Sequence, residues 1–335
     1  MNALRKILFP FSILYGFITA IRNFLFDIGV FKSYSFTVPT IVVGNLSVGG
    51  TGKSPQIEYL IRLLSPQYNV ATLSRGYKRK TKSFVLADAA ATAATIGDEP
   101  YQFFSKFKSI QVAVDADRKN GIETLLAQKN KPDIILLDDA YQHRKVKAGL
   151  YILLTTFDDL YCDDYLLPTG NLRESRSGAK RANIVIVTKC PQDLTIEEQA
   201  KIRVQLKLDP KQELYFSAIK YDDFVFSDGQ KTARETIKLQ QKVLVAGIAK
   251  PDSFFNFLKG ESDICLSFSD HHDFSADDIL NIKNAAADKL IVTTEKDYVR
   301  LIGSLPMEQL FYLPIQSSFI SKGANFNKTI NDYVG

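Results

Sequence analysis

The sequence predicts an α/β protein: a doubly wound, mostly parallel sheet, then a second, smaller α/β domain, with a β-ribbon hinge between them and an amphipathic helix in front. Three observations lead there. From residue 35 onward, short Val/Ile/Leu runs alternate with amphipathic stretches. A Gly-Gly-Thr-Gly-Lys-Ser segment follows the first of those runs. Near residue 240 the alternation starts afresh, after a stretch rich in aromatic and β-branched residues. These changes place the N-terminal helix in 1–34, the first domain in 35–213, the ribbon in 214–239 and the second domain in 240–335. A chain of 335 residues accommodates two domains of about 100–200 residues each.

Composition excludes several classes. Lys+Arg of 42 against Asp+Glu of 37 gives a net charge of +5, too mild for a protein that coats nucleic acid. A hydrophobic share of 45% excludes wholesale disorder. His143, His271 and His272 are the only histidines, too few for a multi-histidine metal centre. Cys162, Cys190 and Cys265 form no CxxC pair, as suits a reducing compartment.

The most apolar stretch runs from Ile7 to Ile21, with Arg5 and Lys6 before it and Arg22 after. It is shorter than the roughly 20 apolar residues of a spanning helix. A signal peptide fits the basic start but not the cleavage region, where Ile18 stands two residues before Ala20. As a helix, Phe11, Leu14, Tyr15, Ile18, Ile21 and Leu25 share a face, and Ser12, Gly16, Thr19 and Asn23 lie opposite. Ile13, Phe17 and Phe24 widen the apolar arc. That arc either lies in a membrane surface, with Arg5, Lys6, Arg22 and Lys32 meeting anionic headgroups, or packs on the protein's own core.

Strands are expected at Pro39–Val43, Val70–Leu73, Ile110–Val114, Ile134–Leu137, Tyr151–Thr155 and Ile184–Thr188, with helices near 55–65, 98–107 and 119–129. Continuous apolar runs mark strands buried on both faces. Leu214–Tyr221 and Phe224–Ser227, followed by Asp228-Gly229, predict a small antiparallel ribbon. Further strands follow at Val243–Ala246, Ile264–Phe268, Leu290–Thr293 and Phe311–Pro314, with helices near 252–259 and 276–287. The Ala/Thr-rich stretch Ala87–Thr95 predicts a loop.

The segment from Gly44 to Ser54 carries the chemistry. Gly52-Lys53-Ser54 matches the end of the phosphate-loop motif, while Ser47 occupies the position of its first glycine. Gly49 and Gly50 compensate by supplying backbone angles for a phosphate-wrapping turn. Backbone N–H groups and the start of the following helix would face the phosphates. Lys53 would reach the β- and γ-phosphates of ATP, and the Ser54 hydroxyl would bind Mg²⁺. The partner motif is the run Ile134–Leu137 delivering Asp138 and Asp139 at its C-terminal end, in the crevice where α/β ligands bind. One or both acids would hold Mg²⁺, and the fold is accordingly of the phosphate-loop type.

With these motifs in place the chain resembles the tetraacyldisaccharide 4′-kinases of lipid A synthesis. The pieces are Gly44-Asn-Leu-Ser-Val-Gly-Gly-Thr-Gly-Lys-Ser-Pro55, Ser74-Arg-Gly-Tyr77, Gly97-Asp-Glu-Pro100, Asp117-Arg118, Asp138-Asp-Ala-Tyr-Gln-His143, Leu167-Pro168, Leu172-Arg-Glu174, Asp270-His-His272 and Thr294-Glu-Lys-Asp297. They run in family order from residue 38 to 300. Ser47 and Ser54 stand where Thr is common, and Ala140-Tyr141 replaces Gly-Leu, with no loss of a needed chemical group. The resemblance implies transfer of the ATP γ-phosphoryl to the 4′-hydroxyl of a tetraacylated glucosamine disaccharide 1-phosphate. The acceptor lies in the cytoplasmic face of the inner membrane, which favours the peripheral-membrane role for the first helix. Asn45, Gly49, Gly50, Thr51, Gly52, Lys53 and Ser54 are then the ATP-binding set, and Ser54, Asp138 and Asp139 the Mg²⁺ set.

The resemblance also implies Asp98 as the base, paired with His271; His272 next to it is the alternative ring. A carboxylate beside a neutral imidazole suits proton acceptance near neutral pH. The two residues belong to different predicted domains, so the pair would form only on domain closure. Arg118 and Arg173 suit the acceptor's phosphate or the transferring group because their planar forks donate paired bonds. Glu174 would orient an Arg or a sugar hydroxyl. Ser74, Arg75 and Tyr77 lead into the basic stretch Lys78-Arg-Lys80 and Lys82, which faces either an anionic surface or plain solvent. His143 is a second-layer candidate behind the acids. The competing reading is a partition-type phosphate-loop ATPase without lipid phosphorylation. Such proteins usually carry Lys before the paired glycines, where this chain has Val48. A nucleotide-gated membrane-binding module is the third reading, weighed against by Asp98 and His271.

Overall fold

The computed structural model describes residue 5 and residues 7–77, 79–227, 229–270 and 272–335. Lys6, Lys78, the Asp228 of the expected turn and the candidate base partner His271 lie outside them.

Helix α1 (Phe9–Asp27) precedes the first sheet. That sheet is built from β1 (Thr40–Asn45), β2 (Val70–Ser74), β3 (Val85–Leu86), β4 (Gln111–Val114), β5 (Ile134–Asp138), β6 (Leu150–Thr156), β7 (Ile184–Thr188), β8 (Glu213–Tyr221) and β15 (Ile315–Phe319). Among the described residues its order is β15-β8-β7-β6-β1-β5-β2-β4-β3. Pairing is parallel throughout, except at the edges, where β3 and β15 run antiparallel to their neighbours. Every residue of β1, β2 and β5 is buried, as the unbroken apolar runs require. Helices α2 (Lys53–Leu64), α3 (Asp98–Lys106), α4 (Arg118–Leu126) and α5 (Ile196–Leu206) cover this sheet. Ile57, Leu60, Ile61 and Leu64 fill the core on one face, and Ile122, Leu125, Ile202 and Leu206 on the other. The Ala87–Thr95 stretch is not wholly a loop, because Thr92 and Thr95 form a capping box that starts a short helix over Ala93–Ile96.

The second sheet contains β9 (Phe224–Ser227), β10 (Gln230–Ala233), β11 (Lys242–Ala246), β12 (Ile264–Ser267), β13 (Leu290–Thr294) and β14 (Leu310–Leu313), in the order β10-β9-β14-β13-β11-β12. Helices α6 (Asp252–Leu258), α7 (Ala276–Ala286) and α8 (Glu295–Leu301) pack on it.

Two expectations are corrected here. The antiparallel partner of Leu214–Tyr221 is not the adjacent Phe224–Ser227 stretch. β8 stays in the first sheet and pairs with β15, Tyr221 opposite Ile315 and Ser217 opposite Phe319. β9 crosses into the second sheet, where it pairs with β14 and β10. The ribbon joining the sheets thus consists of two long-range strands, β8–β9 and β14–β15, clasped where Asp222 N–H donates to Pro314 O at 3.0 Å. The second domain also ends earlier than residue 335. Past Pro314 the chain returns to the first sheet, and α9 (Gly323–Val334) buries Phe326 and Ile330 in the core beneath α2.

Candidate active site

Strand β1 ends at Asn45, the chain turns, and α2 begins at Lys53. Gly49 (φ 108°) and Gly52 (φ 86°), not Gly50 as expected, hold left-handed angles that a side chain would strain. Val48 N–H donates to Asn171 O (2.8 Å) and Arg173 N–H to Leu46 O (2.7 Å), so the turn is tied to the segment containing Arg173 and Glu174. Lys53 Nζ lies 3.5 Å from Asn45 Oδ1 and 3.7 Å from Asp139 Oδ1.

Asp138 and Asp139 close the opposite side of the turn, and their environments differ sharply. Asp138 is buried at the tip of β5, takes one hydrogen bond from Ser74 Oγ (3.2 Å), and leaves Oδ1 without a partner. Burial first, then the negative charges of Glu99 and Asp139, push it up to about 7 against Lys53 and Arg118. Asp139 sits on a left-handed backbone (φ 46°). Burial acts to raise its pKa, but Lys53 and Arg173 outweigh this and hold it below the usual carboxylate range. Arg173 Nη1 contacts both Asp139 oxygens, at 2.9 and 3.0 Å. Ser54 Oγ lies 3.5 Å from Glu99 Oε1.

This donor set fits Mg²⁺. A buried carboxylate oxygen without a partner, two further acids and a hydroxyl surround the phosphate turn, and Asp138 has a raised pKa that a cation would relieve. Among the described residues no three acidic, His or Cys side chains cluster tightly enough to enclose a metal alone. Mg²⁺ does not need that, since it keeps waters and shares phosphate oxygens with one or two carboxylates.

The other candidates fall into two groups. Arg118 is only 2% exposed, and its guanidinium donates to the carbonyls of Asp115 (2.8 Å) and Asp138 (3.3 Å). Burial lowers its pKa to about 10, and it props up the end of β5 from behind. Glu174 is buried under Arg181 (2.7 Å), Gln142 (3.0 Å) and Asn23 of α1 (3.0 Å). Burial, then the charge of Arg118, lower the pKa of His143. Tyr77 is 67% exposed, and its carbonyl lies beside Gly97, the residue before Asp98.

Asp98, at the first turn of α3, accepts from Arg300 of α8 through Nε (2.8 Å) and Nη2. His272 is committed within its own domain: Nε2 lies 2.9 Å from Asp278 Oδ2, Nδ1 lies 3.3 Å from Ser269 Oγ, and Phe268 and Phe274 flank the ring.

Sequence reasoning did not single out Glu99, Glu295 or Arg300. The motifs Gly97-Asp-Glu-Pro100 and Thr294-Glu-Lys-Asp297 held Glu99 and Glu295, but spacing does not say which acid faces where, and Arg300 lies outside both. Thr294 caps α8 together with Asp297. Asp297 accepts from Gly247 N–H (2.8 Å). Glu295 meets Lys106 of α3 (2.8 Å), which also holds Glu58 of α2 (2.8 Å). The second motif is therefore the charged seam by which the second domain meets the first.

Helix α1 reverses the soluble-core alternative. Ser12 hydrogen-bonds Thr169 (2.7 Å) and Leu166 O (3.1 Å), Tyr15 donates to Arg173 O (2.7 Å), and Arg22 donates to Gln142 O (2.6 Å). The polar side thus docks on the domain. Phe11, Ile13, Leu14, Phe17, Ile18, Ile21 and Phe24 point outward, each at least 42% exposed.

A glycine-rich turn between a central parallel strand and a helix, faced by a lysine and an acid pair, defines a phosphate-loop nucleotide-binding protein. The particular relationship follows from comparison: the chain belongs to the tetraacyldisaccharide-1-P 4′-kinase family, whose profile matches residues 4–334. A tetraacyldisaccharide 4′-kinase of Flavobacterium johnsoniae is 62% identical over 334 residues, covering 100% of this chain and 98% of that one. Its Bacteroides fragilis namesake is 48% identical, covering 99% and 93%. A crystal structure of LpxK from Aquifex aeolicus, described as an apo form in complex with ATP, superposes with a TM-score of 0.81 at 30% identity, covering 99% of this chain and 100% of that one.

Proposed function

We propose that the protein transfers the γ-phosphoryl group of ATP to the 4′-hydroxyl of a tetraacylated glucosamine disaccharide 1-phosphate, working peripherally on the cytoplasmic face of the inner membrane. One observation carries the reading beyond the family name. Arg173 touches Asp139 with its side chain and Tyr15 of α1 with its carbonyl. A phosphate site and a helix with an outward apolar face therefore share one edge, as a lipid acceptor requires. Helix α1 has the length and hydropathy of a spanning segment, but its polar side is tied to the domain, which favours lying in the interface.

The backbone N–H groups of Gly49 to Ser54 and the start of α2 cradle the phosphates, with Asn45 holding Lys53 in place from below. Lys53 draws charge from the β- and γ-phosphates as it develops in transfer. Bound near Ser54 and the Asp138–Asp139 pair, Mg²⁺ supplies charge neutralisation of the phosphate chain. Asp98 accepts the acceptor's hydroxyl proton, and His271 partners it when the second domain closes; the engagement of His272 elsewhere supports that choice of ring. Arg173 leaves Asp139 to meet a phosphate oxygen. Glu174 keeps the edge beside Arg173 rigid. Arg118 and Ser74 set Asp138, and the exposed Tyr77 would meet the acceptor.

The test incubates full-length protein in detergent micelles with γ-labelled ATP, Mg²⁺ and the disaccharide lipid. Label enters the lipid fraction, and Lys53→Ala lowers the rate by about a thousandfold or more. Label found only as inorganic phosphate contradicts the reading.

A further inference from the structure

Lys189 follows the last residue of β7 and has no part in the scheme above. We infer that Lys189 is a second phosphate-binding lysine of the nucleotide site, reaching the phosphate chain of ATP from the side opposite Asp139. The inference deepens the kinase reading and rests on it.

Four observations support it. Thr188, just before it, donates through Oγ1 to Thr51 O at 2.8 Å, which fastens this strand end to the phosphate turn. A Cβ built on Gly50 would lie 3.9 Å from Lys189 Nζ, so the ammonium sits over the turn itself. The backbone of Lys189 is left-handed, with φ 57°. Of the other described non-glycine residues with positive φ, Lys207, Ala287 and Lys322 cap helix ends. Only Asp139 and Lys189 stand at strand ends, and they flank the phosphate turn, beyond β5 and β7 respectively. Such backbone concentrates at functional sites.

The fourth observation is the ammonium's lack of a partner. Lys250 of the second domain is held by Asp158 (3.4 Å) and Asp159 (3.6 Å). Among the described residues Lys189 has no ion pair within 4.0 Å and no side-chain hydrogen bond. Its side chain is solvent-exposed inside the cleft, yet crowded by protein, and that crowding together with the like charge of Lys250 lowers its pKa. Asp158, Asp159 and Asp270 act on it only from beyond ion-pair distance, so a phosphate oxygen would supply its first direct counter-charge. Lys53 enters from the start of α2 and Lys189 from the end of β7, so the two would grip the chain from different sides.

Calorimetric titration of full-length protein with ADP, and separately with inorganic pyrophosphate, tests this in wild type, Lys189→Met, Lys189→Gln and Lys189→Arg. The neutral variants should bind both probes about tenfold or more weakly, and Lys189→Arg should recover most of the loss, as expected for a charge-assisted bond. In steady state the KM for ATP rises while the KM for the lipid acceptor stays put. Neutral variants that keep the wild-type melting temperature and bind ADP as tightly as wild type overturn the assignment. So does an increase confined to the acceptor KM, which would place Lys189 on the acceptor's phosphate. An arginine variant as weak as the neutral ones would assign the loss to the backbone. Wild-type protein that binds no ADP would instead contradict the kinase reading.

Discussion

Two elements dock against the edges of the same phosphate site by different means. Helix α1 is held mainly by hydroxyls, amides and guanidinium-to-carbonyl bonds: Ser12 to Thr169, Tyr15 to Arg173 O, Arg22 to Gln142 O. Helix α8 is held by charge, with Glu295 on Lys106 and Arg300 on Asp98. Apart from the exposed Asp27–Arg144 pair at its end (2.6 Å) and Asn23 on the Glu174 carboxylate, the α1 docking uses uncharged acceptors and has less reason to respond to pH. The charged one joins two domains across a ribbon crossed only twice by the chain, and its partners include the candidate base. The comparison suggests a fixed membrane-facing element and a releasable domain contact, each breakable separately.

The largest effect is expected on the α1 side. Replacing Phe11, Phe17 and Phe24 with Ser removes three exposed aromatic rings without touching the polar bonds beneath. At roughly 1.5–3 kcal/mol per buried apolar side chain, association with anionic vesicles should fall by more than about a hundredfold in a sedimentation assay. Phosphorylation of acceptor presented in detergent micelles should fall far less. Unchanged vesicle association would remove α1 as the membrane element.

On the α8 side, Arg300→Ala leaves Asp98 without its guanidinium partner. The expected loss is about 10- to 100-fold in kcat, in micelles and vesicles alike, with vesicle association intact. Arg300→Lys should recover part of it. An Arg300→Ala enzyme with normal kcat would show that the contact holds domains together without bearing on the base.

The smallest effect is a pH-dependent stability change. Burial, then the charge of Glu58, push Glu295 up to about 7. An acid whose folded pKa exceeds its unfolded one contributes its full stability below the unfolded pKa, near 4.3, and loses it as pH rises through the folded value. Glu295→Gln should therefore raise the melting temperature by a few degrees at pH 8, with the gain shrinking toward pH 5. A constant difference across that range would mean that Glu295 stays ionised throughout.

What the sequence revealed follows the same division. β1, β2, β5 and β7 were legible because both their faces are buried, which leaves uninterrupted apolar runs. The phosphate turn was legible because its glycines and lysine act through local backbone geometry. The partner of β8 was not, because Tyr221 opposite Ile315 is a contact that no local turn signal encodes. The chain crosses between the sheets at Asp222, a place that no turn motif marks. Arg118 looked like a phosphate ligand in a motif, and only packing shows that it faces carbonyls. Glu99, Arg300 and Lys189 owe their places to neighbours distant in sequence.

Position-resolved analysis of the reaction product, by phosphorus NMR coupled to tandem mass spectrometry, tests the central proposal most directly. The expected product carries one added phosphoryl group, on the 4′ oxygen of the disaccharide lipid, with one ADP formed per product. A phosphoryl group on another hydroxyl or on the existing 1-phosphate, or ADP formed with no lipid product, would contradict it.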